Sequence, residues 1–149
     1  MSGADRKKAL ITGASRGIGR SVASALASSG FDLYLTCRNN RELLDSLAEE
    51  LRRSYGIQCY CYAFSICDED KVSEMFRDIP YLDVLVNNAG ISYVGLLTDM
   101  TYQQWREVID INLSACFLTC RHAVPEMVRR RRGKIINISS VWGSTGASM

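Results

Sequence analysis

The sequence predicts an α/β fold, a doubly wound parallel sheet, on three observations. Short apolar runs alternate with segments of helical period, the alternation recurs along the whole chain, and the turn out of the first apolar run is rich in glycine. Strands separated by helix-length segments pair in parallel through right-handed crossovers. The ligand of such a sheet belongs outside the carboxyl ends of its strands.

The first unit is "KKALITG", an apolar run ending at a glycine, followed by Ile18, Val22, Ala25 and Leu26 at helical spacing until Gly30 stops the pattern. "FDLYLTC" reads as the second strand, and Leu43, Leu44, Leu47 and Leu51 mark one face of a charged helix after it. The third unit pairs "IQCYCYAFSI" with Val72, Met75, Phe76 and Ile79. The fourth pairs "LDVLVNNAG" with a long helix whose apolar stripe runs through Trp105, Val108, Ile109, Leu113 and Phe117, a spacing that predicts packing for Trp105. A fifth strand, "KIINIS", comes after that helix.

With 149 residues, 47% hydrophobic and 23% charged, the chain has the size and balance of one globular domain spanning residues 1–149, without repeats or a Pro/Ser-rich linker. A net charge of +2 gives no strong pull toward nucleic acid or membrane. The start, "MSGADRKKALITG", lacks the apolar core of a secretory leader, and no run reaches the length of a membrane span, so the expected location is cytoplasmic. Six cysteines (Cys37, Cys59, Cys61, Cys67, Cys116, Cys120) form no CxxC, and His122 is the single histidine; reduced thiols are expected, and no metal site. "RRRR", Arg129 to Arg132, falls where the long helix ends, a place that suits cations, so nucleic-acid binding is not expected of it.

The stretch "TGASRGIG", Thr12 to Gly19, carries the most chemistry because it lies where the first strand turns into the first helix. Gly13, Gly17 and Gly19 permit a tight turn and close backbone approach, so a pyrophosphate can meet the free N–H groups of the helix N-terminus. The spacing G-x-x-x-G-x-G differs from the usual dinucleotide G-x-G-x-x-G. Three further motifs appear in order: "NNAG" (Asn87 to Gly90), Asn112 in "VIDINL", and "NISS" (Asn137 to Ser140).

This ordered set resembles the short-chain dehydrogenase/reductase family, in particular its 3-oxoacyl-carrier-protein reductase branch. "GLLTDMT" and "SSVWGSTGAS" are similar to the bacterial elongation factor P 5-aminopentanone reductases. The resemblance implies a Rossmann-type fold, incomplete at its C-terminal side, and an NADP-dependent reductase acting on a small-molecule or carrier-bound carbonyl. The full-length protein is then expected to be a homo-oligomer, without nucleic-acid or membrane partners.

It also implies roles for individual residues. Ser140 would polarise the substrate carbonyl, and Asn112 would support a proton relay. Thr12, Gly13, Ser15, Arg16, Gly17, Ile18 and Gly19 would cradle the cofactor, with Ser65, Ile66, Asn87, Ala89 and Gly90 at the ends of later strands. NAD-preferring members usually carry an acidic residue where Cys37 stands; Arg38 comes next and, with Arg16, suits the 2′-phosphate of NADPH. Ser65 replaces a frequent aspartate near the end of the third strand, keeping a hydrogen-bond acceptor without the charge.

The family's general acid belongs to a Tyr-x-x-x-Lys pair beyond the serine, and no such pair occurs in these residues. Tyr34 with Arg38 and Tyr102 with Arg106 have the spacing but lie on a strand and at a helix start. The chain therefore reads as the N-terminal segment of a reductase, truncated before that pair, or as a non-catalytic dinucleotide-binding module. Trp142, just past Ser140, is placed either to line a substrate pocket or to pack in the core.

Overall fold

The computed structural model describes residues 6–143 and residue 145. Its strands are β1 (Lys8–Ile11), β2 (Asp32–Cys37), β3 (Cys59–Ala63), β4 (Val84–Asn87) and β5 (Lys134–Asn137). The helices are α1 (Gly17–Ser28), α2 (Arg41–Tyr55), α3 (Glu69–Asp78), α4 (Tyr102–Ile109) and α5 (Ala115–Arg129). All pairings are parallel, in the order β3-β2-β1-β4-β5. The chain winds outward from β1 to β3, then returns to the other side of β1 as β4. That reversal is the predicted doubly wound topology, with its switch point between β1 and β4.

Two apolar layers sandwich the sheet. Leu33, Leu35 and Ile11 meet Ala23, Ala27, Leu44, Leu47 and Leu51 of α1 and α2. On the other face Leu10, Tyr34 and Leu85 meet Met75 of α3 and Ala123 and Met127 of α5. β2 is buried along its whole length because it has neighbours on both edges and helices on both faces. Among the described residues β5 pairs only with β4, and it is exposed throughout.

Two helical stripes differ from the sequence reading. On α1 the fully buried residues are Gly19, Ala23 and Ala27, with Val22 and Leu26 flanking them and Ile18 61% exposed. Small side chains let this helix lie close to the sheet, so its core face is not its most apolar one. In the long helical stretch, Trp105, Leu113 and Phe117 are 48%, 64% and 61% exposed, while Ile111, Ala115, Leu118, Ala123 and Met127 are buried. A π turn interrupts this stretch at Asp110–Ser114. Trp105 before it, Leu113 within it and Phe117 after it are all exposed, so the apolar stripe faces outward on both sides of the turn, and the buried residues are the smaller or offset Ile111, Ala115 and Leu118. Trp142 is also exposed and does not pack in the core.

The carboxyl ends of β1 and β4 are locked together by Thr12. Its N–H donates to Val86 O at 3.0 Å, extending the ladder, and its Oγ1 accepts from the N–H groups of Asn88 and Ala89 at 3.0 and 2.9 Å. Asn88 Nδ2 donates back to the carbonyls of Thr12 and Gly13 at 2.9 and 3.1 Å. Asn87 makes the next strut outward: its Oδ1 accepts from Thr119 Oγ1 at 2.7 Å, and its Nδ2 donates to Asn137 Oδ1 at 2.9 Å.

The amino ends are fixed by charge. Asp83, just before β4, accepts from Lys8 N at 2.9 Å and pairs with Arg132 at 2.9 Å and Arg130 at 3.7 Å. Arg130 also lies over the Tyr81 ring, 3.7 Å from its centroid, and Arg129 pairs with Glu126 at 2.6 Å. Three arginines of the basic run are thus engaged inside the chain. The fourth, Arg131, ends α5 with φ 51°, while Arg131 N donates to Val128 O and Arg132 N to Met127 O, both at 3.0 Å. This is a Schellman closure with arginine where glycine is favoured.

Two stability measurements check these assignments. Arg131→Gly should raise the unfolding free energy by about 0.5–1 kcal/mol in urea denaturation, because a left-handed backbone is strained for any residue with a Cβ. Thr12→Val keeps the volume but removes the acceptor of two N–H groups, and should lower stability by about 2–3 kcal/mol in the same assay.

Candidate functional site

A cleft of about 410 Å³ opens at the carboxyl ends of β1, β2, β3 and β4, where the switch point places a ligand. Its walls come from the turn before α1 (Gly13, Ser15, Arg16) and the first residues of that helix (Gly17, Ile18), the end of β2 (Cys37, Arg38), the segment after β3 (Ser65, Ile66) and the segment after β4 (Ala89, Gly90). The sequence reading named all of these as site residues except Cys37, which it discussed as the missing acid.

The glycines of the turn serve different needs. Gly17 has φ 57° with open space around it, so backbone conformation alone selects it. Gly19 is buried on α1, and a Cβ there would fall against Gly13 O and 2.5 Å from Asn88 Nδ2. Helix α1 therefore approaches the β1–β4 junction as closely as a backbone allows.

The N-terminus of α1 is unlike those of α3 and α4. Asp68 caps α3 by accepting from Lys71 N at 3.1 Å, and Thr101 and Gln104 form a reciprocal capping box on α4. At α1 the cap residue is Arg16, with no side-chain cap and no acid in the first turn. The leading N–H groups and the positive end of the helix dipole face the cleft without a protein anion to satisfy them.

Electrostatics agree with that polarity. Among the described residues, Arg16 and Arg38 are the charged ones lining the cleft, and no aspartate or glutamate lines it. Burial pushes the Cys37 thiol above its ordinary range, so it stays neutral beside Arg38 at physiological pH. Burial likewise raises Cys67, close to Ser65. Arg38 Nη1 donates to Glu107 Oε1 of α4 at 2.9 Å, while Arg16 makes no ion pair among the described residues.

The remaining named residues stand behind or beside the cleft. Thr12 and Asn87 are buried at 2% and 4% exposure and act as struts between strand ends; Gly19 is buried as well. Asn112 lies within the π turn, and its side chain closes on one backbone unit: Ile91 N donates to Oδ1 and Nδ2 donates to Ile91 O, both at 2.8 Å. A Cβ on Gly90 would sit 3.2 Å from Asn112 Oδ1, a tight contact that Asn112 could relieve only by shifting slightly from its hydrogen bonds to Ile91. Asn112 thus fixes the loop that forms the far wall of the cleft.

Ser140 lies beyond β5 and is exposed; its Oγ accepts from Trp142 N at 3.3 Å, and it does not line the cleft. Positions 144 and 146–148 of "SSVWGSTGAS" lie outside the described residues. Sequence reading missed Thr36, Asn39, Asn40, Phe64, Asn88, Ile91 and Ile111, which also line the cleft. Asn88 was within reach, because it stands inside the quoted NNAG motif.

Among the described residues no helix is long and apolar enough to cross a membrane, and all six cysteines are free thiols.

The chain matches the short chain dehydrogenase family over residues 7–149. It is 42% identical over 144 residues to the 3-oxoacyl-[acyl-carrier-protein] reductase FabG of Staphylococcus aureus, covering 94% of this chain and 58% of that protein. It therefore spans less than two thirds of that relative's length. A metagenomic short-chain oxidoreductase solved in complex with NADP superposes with a TM-score of 0.89 at 35% identity, over 95% of this chain and 66% of that one. A short-chain dehydrogenase from Sphingobium yanoikuyae in complex with NADPH gives a TM-score of 0.87 at 32% identity, over 93% and 55%. With the glycine-rich turn and the NNAG segment meeting at the sheet's switch point, and the family match extending across the described fold, this chain belongs to the short chain dehydrogenase family.

Proposed function

We propose that the cleft binds NADPH and that the chain forms the cofactor-binding part of a reductase acting on a 3-oxoacyl-type or related ketone, small or carrier-bound. The observation that carries this reading is the uncapped N-terminus of α1 opening on a cleft whose charged lining residues are Arg16 and Arg38. Backbone N–H groups at that terminus suit a pyrophosphate, and two guanidinium groups without a lining carboxylate suit a 2′-phosphate. The NADP and NADPH held by solved relatives of the same fold support the choice.

When bound, the cofactor supplies a hydride to the carbonyl carbon. The chain's own residues then have separable tasks. Arg38 and Arg16 orient the adenosine end. Asn112, through its two hydrogen bonds to Ile91, holds the loop on the opposite side of the cleft, so it is a positioning residue in support of proton relay. Ser140 donates a hydrogen bond to the carbonyl oxygen, where negative charge grows as the hydride arrives. No Tyr-x-x-x-Lys pair occurs in the 149 residues, so in this proposal the proton comes from a general acid outside them.

The reading has two direct tests. NADPH should bind about tenfold or more tightly than NADH, and Arg38→Ala should remove most of that margin by weakening NADPH alone, as measured by fluorescence titration. Equal affinities in the unaltered protein would overturn the cofactor assignment. In the complete enzyme, Ser140→Ala should lower kcat about 10²–10³-fold on a panel of 3-oxoacyl and simple ketone substrates while leaving NADPH affinity in place. A parallel loss of cofactor binding would move Ser140 out of the catalytic role.

A further inference from the structure

We infer that Glu107 is a specificity-determining residue that restrains the preference for a 2′-phosphate by occupying Arg38. The inference rests on the reading that the cleft takes NADPH. Arg38 leaves the end of β2, and its guanidinium meets the Glu107 carboxylate at 2.9 Å although 69 residues separate them in sequence. The contact is a tertiary one, made only because α4 passes the rim of the cleft.

The neighbouring charges of α4 and the π turn are already paired. Asp110, first residue of the π turn, meets Arg106 of α4 at 3.9 Å and accepts from Ser114 Oγ at 3.3 Å. Glu107 has Arg38 as its ion-pair partner among the described residues. It does not line the cleft, whereas Arg38 does, so the carboxylate approaches the guanidinium from outside the ligand space. Arg16, the other basic lining residue, has no such partner among the described residues.

A phosphate reaching Arg38 consequently meets a cation that is already neutralised by a carboxylate. Either the phosphate displaces Glu107, losing the ion pair, or both anions share one guanidinium and repel each other. Both routes weaken NADPH binding. NADH places an uncharged hydroxyl there and makes no demand on the charge of Arg38, so the penalty falls on one cofactor and changes selectivity. The two side chains are 53% and 47% exposed, and solvent keeps the effect moderate.

Glutamine separates charge from geometry, because its amide oxygen can still accept from Arg38 Nη1 while the negative charge is gone. Glu107→Gln and Glu107→Ala in the full chain should each bind NADPH about two- to fivefold more tightly, with NADH affinity unchanged, and the gain should shrink as salt is raised. Titrations with both cofactors, alongside Arg38→Ala, distinguish the ways of failing. If Arg38→Ala weakens NADPH but Glu107→Gln leaves it unchanged or weaker, Glu107 merely positions the arginine and the inference is overturned while the cofactor reading stands. If Arg38→Ala leaves NADPH affinity intact, the arginine does not hold the phosphate, and both fall.

Discussion

The hydroxyl of Thr12 is the contact on which the rest of the site depends. Parallel strands end with outward-pointing N–H and C=O groups that have no further ladder partner, and a ligand cleft at those ends must keep them satisfied without filling itself. Thr12 Oγ1 does this for two consecutive N–H groups after β4, and the Asn88 amide returns the favour to two consecutive carbonyls after β1. The junction is therefore self-contained in hydrogen bonds. Its compactness is what brings Gly13 and Ala89 into contact distance and lets α1 start so near the sheet. Everything proposed for the cofactor hangs from that geometry, because the free N–H groups of α1 are aimed by it.

The two ends of the sheet solve opposite problems. At the amino ends, buried Asp32 and Asp83 gather Arg6, Lys8, Arg130 and Arg132 and accept backbone N–H groups, leaving charge paired within the chain. At the carboxyl ends, α1 has no side-chain cap and Arg16 no ion pair among the described residues, while Arg38 is paired only with the exposed carboxylate of Glu107 among them. Unsatisfied donors in a concave, half-shielded place cost stability unless something binds them. α1 shares the lack of a side-chain cap with α2, whose Asn40 also lines the cleft, while α3 and α4 carry side-chain caps; these two open termini therefore meet at the cleft, which supports its reading as the binding site.

Much of this was legible in the sequence because the relevant signals are local. Strand–helix alternation, the glycine spacing and the NNAG segment each describe a few consecutive residues, and backbone sterics leave them few other uses. What the sequence hid was non-local or a matter of phase. The apolar periodicity through Trp105, Leu113 and Phe117 is helical, yet that stripe faces outward and Ile111 and Ala115 are the buried residues, so the pattern located the helix without telling which face packs. The close approach of α1 was hidden because alanines and a glycine, not the larger Ile18, form its buried face. Thr12 and Asn87 belonged to recognised motifs, but only the fold distinguishes a strut behind a cleft from a residue lining it.

The end of β2 shows how few atoms separate the alternatives in cofactor choice. Cys37 is 4% exposed and lines the cleft, so whatever occupies that position is held firmly at the end of β2, where the proposed reading puts the adenosine end. An ionised carboxylate at so buried a place would require a partner, and the adjacent Arg38 would be the nearest cation to supply one. A neutral thiol makes no such claim. Arg38 is then free to extend to the rim, where its partner in this structure is an exposed carboxylate on a different helix instead of a buried one on its own strand. In the proposed reading, exchanging a buried competitor for an exposed one keeps the guanidinium within reach of a phosphate, since a solvated ion pair weakens phosphate binding but can be opened at small cost.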